Sequence, residues 1–159
     1  MTAQQERLYK NLAIYAGIYL LLVRPILTKV GIVKSKEDRL IDEQTSLPNN
    51  INPFSPAFYR TGGPGTKILT SNAANRYAAD IYDAMGYLTD DEAKIYGVFR
   101  QLKYQSQISF LAEKFANKYS IDLLEYLKRG KNQFNPGSGL NSEELTVIFN
   151  IVNRLPKYK

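Results

Sequence analysis

Two reactive residue types are absent from this chain of 159 residues, which contains no cysteine and no histidine. Without cysteine there is no disulfide and no thiolate metal ligand, and the redox compartment is not readable from the sequence. Without histidine, the chain lacks Ser-His-Asp and Cys-His catalysis, the usual zinc sites and histidine acid–base chemistry. Only carboxylate, lysine, tyrosine and hydroxyl groups remain for catalysis. Because no convincing site of these residue types stands out in the sequence, we predict a non-enzymatic protein with no catalytic residue, no cofactor, no metal and no small-molecule substrate.

The chain has few acidic residues relative to basic ones: 15 aspartates and glutamates against 21 lysines and arginines, a net charge of +6. This balance favours anionic partners such as lipid head groups. The aromatic residues do not alternate with basic ones as in a base-stacking platform, so nucleic acid is not a predicted partner. One compact basic group stands out, formed by Lys128, Arg129 and Lys131. It is either a solvated helix end, where cations are favoured, or a contact for phosphate or lipid.

Long apolar runs are scarce, and the only one covers residues 12–23, with the sequence LAIYAGIYLLLV. A bilayer span needs about 20 apolar residues, so the run must extend past Arg24 to cross a membrane. An arginine near the end of a span is tolerated because its side chain reaches the interface. We predict a membrane anchor formed by Leu12, Ile14, Tyr15, Ile18, Tyr19, Leu20, Leu21, Leu22 and Val23.

The residues around this run predict how it is used. Arg24 and Pro25 follow it directly, where a signal peptide would have small residues and a cleavage site, so the anchor is expected to stay uncleaved. More basic residues follow the run than precede it, which keeps the bulk of the chain on the cytoplasmic or virion-interior side. The alternative is a buried helix that packs against the C-terminal domain or a partner subunit. Either way, residues 1–34 are predicted to form an N-terminal hydrophobic helix.

Residues 35–72 are predicted to form an extended linker arm, because prolines and glycines interrupt any regular element from Gln44 to Asn72. Phe54, Phe58 and Tyr59 are unusual in a solvated tether, which indicates that the arm lies along a surface, its own or that of a neighbour. The stretch 61–67 (TGGPGTK) has the composition of a phosphate-binding loop. Its glycine spacing is wrong, and the residue after Lys67 is isoleucine, so nucleotide binding is not predicted.

From residue 73 to 159, helical periodicity predicts a bundle of five short helices and an all-α fold. The first helix is expected to be capped by Ser71 or Asn72 and to end at Gly86. Thr89 with Glu92, and Asn141 with Glu144, fit capping boxes, and Ser120 is the predicted cap of the fourth helix, which Gly130 closes. The predicted inward positions are Ala74, Tyr77, Ala78, Ile81, Met85, Ile95, Tyr96, Phe99, Leu102, Ile108, Leu111, Phe115, Tyr119, Leu123, Leu124, Leu127, Leu145, Ile148, Phe149 and Val152.

Several stretches of this region resemble one annexin repeat in order and spacing. They are residues 79–85 (ADIYDAM), 88–92 (LTDDE), 107–118 and 119–128 (YSIDLLEYLK), and the resemblance covers residues 73–155. It implies a repeat-like helical fold. Annexins bind calcium and acidic phospholipid through a Gly-x-Gly-Thr loop that a distal acidic side chain completes. Here Leu88 replaces the second glycine and Gly130 falls at the position of the distal acid, so calcium binding is expected to be lost.

The acidic groups 90–92 and 143–144 are in first helical turns, where negative charge complements the helix dipole, so we interpret them as capping groups rather than acid–base catalysts. The three-part layout is similar to small structural proteins of bacteria and their phages. It predicts a membrane-associated virion component whose partners are other structural subunits and membrane lipid. The alternatives are a peripheral module that binds anionic phospholipid through the bundle, and a soluble adaptor whose N-terminal helix packs in a partner subunit.

Overall fold

Six α-helices and one short 3-10 helix form the regular structure of residues 34–86, 90–131 and 139–158, the part of the chain that the computed structural model describes. No strand occurs in these residues, so the predicted all-α fold is confirmed for them. The predicted anchor at residues 12–23 lies outside them. The helices are α1 (Lys36–Thr45), the 3-10 helix (Phe58–Gly62), α2 (Ser71–Ala84), α3 (Glu92–Gln101), α4 (Gln105–Tyr119), α5 (Leu123–Arg129) and α6 (Ser142–Asn153).

The start of α2 and the start of α3 each differ from the sequence prediction by one or two residues. The cap of α2 is Thr70, whose hydroxyl accepts from the Ala73 amide at 3.3 Å, and not Ser71 or Asn72. Thr70 still has extended backbone, whereas Ser71 is already helical, so only Thr70 has the geometry of an N-cap. The cap of α3 is Asp91, which accepts from the Lys94 amide at 3.0 Å. The prediction that Thr89 caps this helix is therefore wrong, although Thr89 itself lies outside the described residues.

The junction between α4 and α5 also corrects the sequence prediction, which placed the cap of α5 at Ser120. Ser120 instead ends α4 in the left-handed conformation, with φ of 57°, and its amide donates to the Ala116 carbonyl. The cap of α5 is Asp122, whose carboxylate accepts from the amides of Leu124 and Glu125 at 2.9 and 3.0 Å. A residue in the left-handed region cannot also supply the extended backbone of an N-cap, so the two functions fall on separate residues.

Two other predicted boundaries are confirmed. Asn141 and Glu144 form the capping box of α6, in which the Asn141 side chain accepts from the Glu144 amide and the Glu144 carboxylate accepts from the Asn141 amide. Gly130 closes α5 with φ of 68°, a conformation that favours glycine.

The core of the bundle is built around α4, which packs against α2, α5, α6 and the 3-10 helix, while α3 packs against α2 and α6. Most of the predicted inward positions are buried. Tyr77, Tyr96 and Tyr119 are only partly buried against the core, because a tyrosine ring packs while its hydroxyl keeps access to water. Residues Leu40–Lys159 form one compact unit, and residues before Leu40 belong to a second unit. Of the second unit, the structure describes only residues 34–39, which include the first turn of α1.

The segment 35–72, predicted as an extended arm, contains α1 and the 3-10 helix, and its central part packs closely. Phe54 is 1% exposed and contacts the rings of Phe99 and Phe149, with centroids 6.1 and 5.7 Å away. Phe58 is fully buried and stacks on Tyr158 at 5.1 Å. The described residues of this segment therefore differ from an extended tether, because burying two phenylalanine rings offsets the entropy of ordering the chain.

Candidate functional site

The one basic group that the sequence singles out lies at the C-terminal end of α5 and just beyond it. Lys128 and Arg129 are in the last turn of the helix, and Lys131 follows Gly130. The partial negative charge of the helix C-terminus favours cations there. Local electrostatics thus accounts for the position of two of the three charges.

The three basic side chains have different neighbours. Lys128 lines a cavity beside α5, and Arg129 forms an ion pair with Glu125, one turn earlier on the same helix. The ammonium of Lys131 lies 4.9 Å from the centroid of the Tyr82 ring, a cation–π contact. Their common use as a phosphate or lipid contact stays a prediction.

The cavity beside Lys128 has a volume of about 300 Å³ and lies between residues 45–56 and residues 122–128 of α5 and its cap. Its charged residues are Asp122, Glu125 and Lys128, so carboxylates and an ammonium line the same space. Part of this polarity has a structural use, because Asp122 caps α5 and Asn52 Oδ1 accepts from the Phe54 amide at 2.9 Å. The cavity has the size of a small-ligand pocket. Its charged residues have mixed signs, so they do not favour a ligand of one particular charge.

An aromatic cluster next to α5 was not predicted from the sequence as a unit. The ring of Tyr82 stacks on Tyr119 with centroids 4.0 Å apart and on Tyr126 with centroids 5.3 Å apart. Phe115 contacts the rings of all three tyrosines. These residues come from α2, α4 and α5, so the cluster joins three helices. Part of this cluster is visible in the sequence, because Phe115 and Tyr119 fall on the predicted inward face of their helix.

Burial in this cluster changes the acidity of one phenol. The pKa of Tyr126 is raised above its ordinary value of 10.0, chiefly because burial disfavours the charged phenolate. Its hydroxyl donates to the Tyr82 carbonyl oxygen at 3.0 Å. A neutral, hydrogen-bonded tyrosine holding two helices together is a structural element at neutral pH.

The two aspartates before α3 lie outside the first helical turn in which the sequence predicts them, and only one of them caps the helix. Asp91 caps the helix, and Asp90 Oδ1 accepts from the Gly86 amide at 2.8 Å. The pKa of Asp90 is raised, mainly by burial, while the hydrogen bond from Gly86 lowers it and the charge of Glu92 raises it. Each of the two aspartates thus uses a carboxylate oxygen to satisfy a backbone amide.

Residues that would matter for an annexin-type calcium site fall partly outside the described structure. Leu88 is one of these, whereas Gly130 is the residue that ends α5. Within residues 34–86, 90–131 and 139–158, no group of three or more acidic side chains is arranged to hold a metal ion.

The same residues include no helix that is both long enough and apolar enough to span a bilayer. The predicted anchor formed by Leu12, Ile14, Tyr15, Ile18, Tyr19, Leu20, Leu21, Leu22 and Val23 lies outside them and stays a prediction.

Comparison with known proteins returns no match of this chain to a family model, a curated protein or a solved structure. The resemblance to an annexin repeat therefore depends on the motifs at residues 79–85, 88–92, 107–118 and 119–128 alone.

Proposed function

We propose that this chain is a non-enzymatic structural protein whose N-terminal hydrophobic segment attaches it to a membrane and whose helical bundle is presented to neighbouring subunits. The setting that we propose is a bacteriophage virion with associated lipid, and the bundle is proposed to be of the annexin-repeat type. The proposal joins the apolar run at residues 12–23 to the helical unit that follows it.

The observation that carries the proposal is how the chain before α2 is fastened to the bundle. The Ser109 hydroxyl donates to the Ser55 carbonyl at 2.5 Å and accepts from the Tyr59 amide at 3.0 Å. The Ser106 hydroxyl donates to the Lys67 carbonyl at 2.6 Å. Both serines are fully buried in α4. Their hydroxyl groups therefore hold residues 55–67 against the central helix.

A salt bridge and a ring contact reinforce this attachment at the protein surface. Glu113 on α4 accepts from the Tyr59 hydroxyl at 2.9 Å and forms an ion pair with Arg60. The Tyr59 ring packs edge-on against Phe110 at 5.4 Å. These contacts support the proposal only for the chain just before α2, where they hold Tyr59 and Arg60 against α4.

The proposal is tested by detergent phase partition of the full chain and of two variants. Leu20→Lys places a charge inside the apolar run, whereas Ile51→Lys adds the same charge at an exposed position of the bundle, where the side chain is 44% exposed. We expect the wild type and Ile51→Lys to enter the detergent phase and Leu20→Lys to shift toward the aqueous phase, since a lysine within a span costs about 3 kcal/mol.

Equal partition of all three proteins into buffer would overturn membrane attachment. A helix that packs in a partner subunit would give that result. In that case, copurification of the chain with a larger particle would be measured for each variant. If Leu20→Lys loses this copurification and Ile51→Lys keeps it, the apolar run attaches to protein rather than to lipid.

A further inference from the structure

We infer that a basic depression between α2 and α4 binds a phosphate group. The depression is an open space of about 330 Å³ on the protein surface, and its walls are formed by Asn75, Lys114, Asn117 and Lys118. Two lysines and two asparagines line this space, and no acidic residue is among its lining residues. Ammonium and carboxamide N–H groups are the donors that a phosphate oxygen accepts from.

The two lysines are held in place by aromatic rings. The ammonium of Lys114 lies 4.9 Å from the centroid of the Phe110 ring, and that of Lys118 lies 5.2 Å from the centroid of the Tyr119 ring. A cation over a ring keeps its charge while the long side chain loses part of its freedom. Less entropy is then lost when an anion binds, so the arrangement is partly organised before the ligand arrives.

Neither ammonium forms a salt bridge within the part of the chain that the structure describes. Other cations do so: Lys94 pairs with Asp80 at 3.5 Å, and Arg60 pairs with Glu113. Glu113 directly precedes Lys114, but its carboxylate binds Tyr59 and Arg60. The charges of Lys114 and Lys118 are therefore available to a ligand.

The spacing of the two lysines favours an anion between them. Residues four apart lie next to each other on a helix, and like charges at this spacing destabilise the helix slightly. The helix dipole accounts for Lys118, which is in the last turn of α4, but acts less on Lys114, one turn earlier. A bound phosphate would neutralise the repulsion and accept from both ammonium groups.

The inference is tested on the full chain by mass-spectrometric footprinting of lysine acetylation, with glycerol 3-phosphate as the soluble probe and sodium chloride at matched ionic strength as the reference. Lys103 and Lys157, which are exposed and do not line the depression, serve as internal controls. We expect slower acetylation of Lys114 and Lys118 in the presence of the phosphate compound and no change at the controls.

Variants separate the depression from the overall charge of the protein. Lys114→Gln and Lys118→Gln should each weaken binding of glycerol 3-phosphate about two- to fivefold, the effect of one exposed ion pair. The double variant Lys103→Gln/Lys157→Gln removes two charges elsewhere and should leave the affinity unchanged. The side-chain amide resonances of Asn75 and Asn117 should shift on titration in the wild type.

A second arm distinguishes a free phosphate from a lipid head group. The full chain is reconstituted into phosphatidylcholine vesicles with or without phosphatidic acid. Protection of both lysines only with phosphatidic acid supports the site and assigns it to a lipid head group, whereas protection by the soluble compound alone supports it and assigns it to a free phosphate. No protection in either arm, or equal protection at Lys103 and Lys157, overturns the inference.

Discussion

The hydroxyl of Tyr126 donates a hydrogen bond to the backbone carbonyl of Tyr82 at 3.0 Å, and the two rings stack with an interplanar angle of 13°. Tyr82 is in the last turn of α2, where carbonyl groups lack partners within the helix. A side chain from α5 thus supplies the partner that α2 cannot provide for itself. The stack and the hydrogen bond together fix the position of α5 on the bundle.

We expect Tyr126→Phe to keep the stack but to lower the free energy of unfolding by about 1–2 kcal/mol, because the Tyr82 carbonyl loses its donor in a partly buried place. Chemical denaturation of the full chain, followed by circular dichroism, measures the change. Tyr104→Phe is a suitable control, since that hydroxyl makes no hydrogen bond within the described residues. Equal stability of Tyr126→Phe and wild type would show that water replaces the missing hydroxyl.

The raised pKa of Tyr126 predicts a loss of stability in alkaline solution. The unfolded chain releases this proton near the ordinary pKa of 10.0, whereas the folded chain retains it at higher pH. The contribution to stability is therefore fully present below pH 10.0 and is lost as the pH rises through the folded-state pKa. Unfolding free energies measured across this range should fall more steeply for wild type than for Tyr126→Phe. Parallel curves for the two proteins would contradict the prediction.

The sequence predicts those features that depend on residues close together in the chain. The capping box of Asn141 and Glu144 is an example, since the partners are three positions apart in the chain. The prediction of Ser120 as a cap failed because serine and aspartate side chains can both cap a helix, and only the backbone conformation shows that Asp122 does so here. The contact of Tyr126 with Tyr82 spans 44 residues, and no local pattern indicates such a pairing.

The same limit applies to the candidate sites. Lys128, Arg129 and Lys131 stand out in the sequence because they are neighbours in the chain, yet their side chains have different contacts. Asn75 and Lys118 are 43 residues apart in number and share one depression because α2 packs against α4. Proximity of this kind depends on helix packing, which periodicity alone does not specify.

The burial of Phe54 predicts that the segment before α2 contributes to the stability of the bundle. Phe54→Ala should lower the free energy of unfolding by about 3–5 kcal/mol, because the substitution leaves a cavity between Phe99 and Phe149. Ile51→Ala, at an exposed position of the same segment, should change it by less than about 0.5 kcal/mol. Denaturant unfolding of both variants makes the comparison. Similar small effects would mean that this segment detaches readily from the bundle.

The residues after α6 are expected to protect the start of α4. The amides of Gln105 and Ser106 donate to the carbonyls of Pro156 and Lys157, both at 2.9 Å. Tyr158 stacks on Phe58 and shares a hydrogen bond of 2.7 Å with the Thr61 hydroxyl. Removal of residues 156–159 should therefore increase hydrogen exchange at the Gln105 and Ser106 amides.

Substitutions of Tyr158 separate the effect of its ring from that of the backbone contacts made by Pro156 and Lys157 in the tail, residues 156–159. Tyr158→Phe keeps the stack on Phe58 and loses only the hydrogen bond to Thr61, so exchange at Gln105 and Ser106 should stay close to that of wild type. Tyr158→Ala should give an intermediate rate. Unchanged exchange after complete removal of the tail would show that other groups satisfy these amides.

The junction between α4 and α5 gives two substitutions with opposite expected effects. Asp122→Ala removes the cap of α5 and should lower the free energy of unfolding by about 1 kcal/mol. Ser120→Gly should raise it by a few tenths to about 1 kcal/mol, because glycine adopts the left-handed conformation without the strain of a side chain. If Ser120 were the cap, its replacement by glycine would instead be neutral or destabilising, and Asp122→Ala would have little effect. Urea unfolding of the two single variants therefore identifies which residue begins the helix.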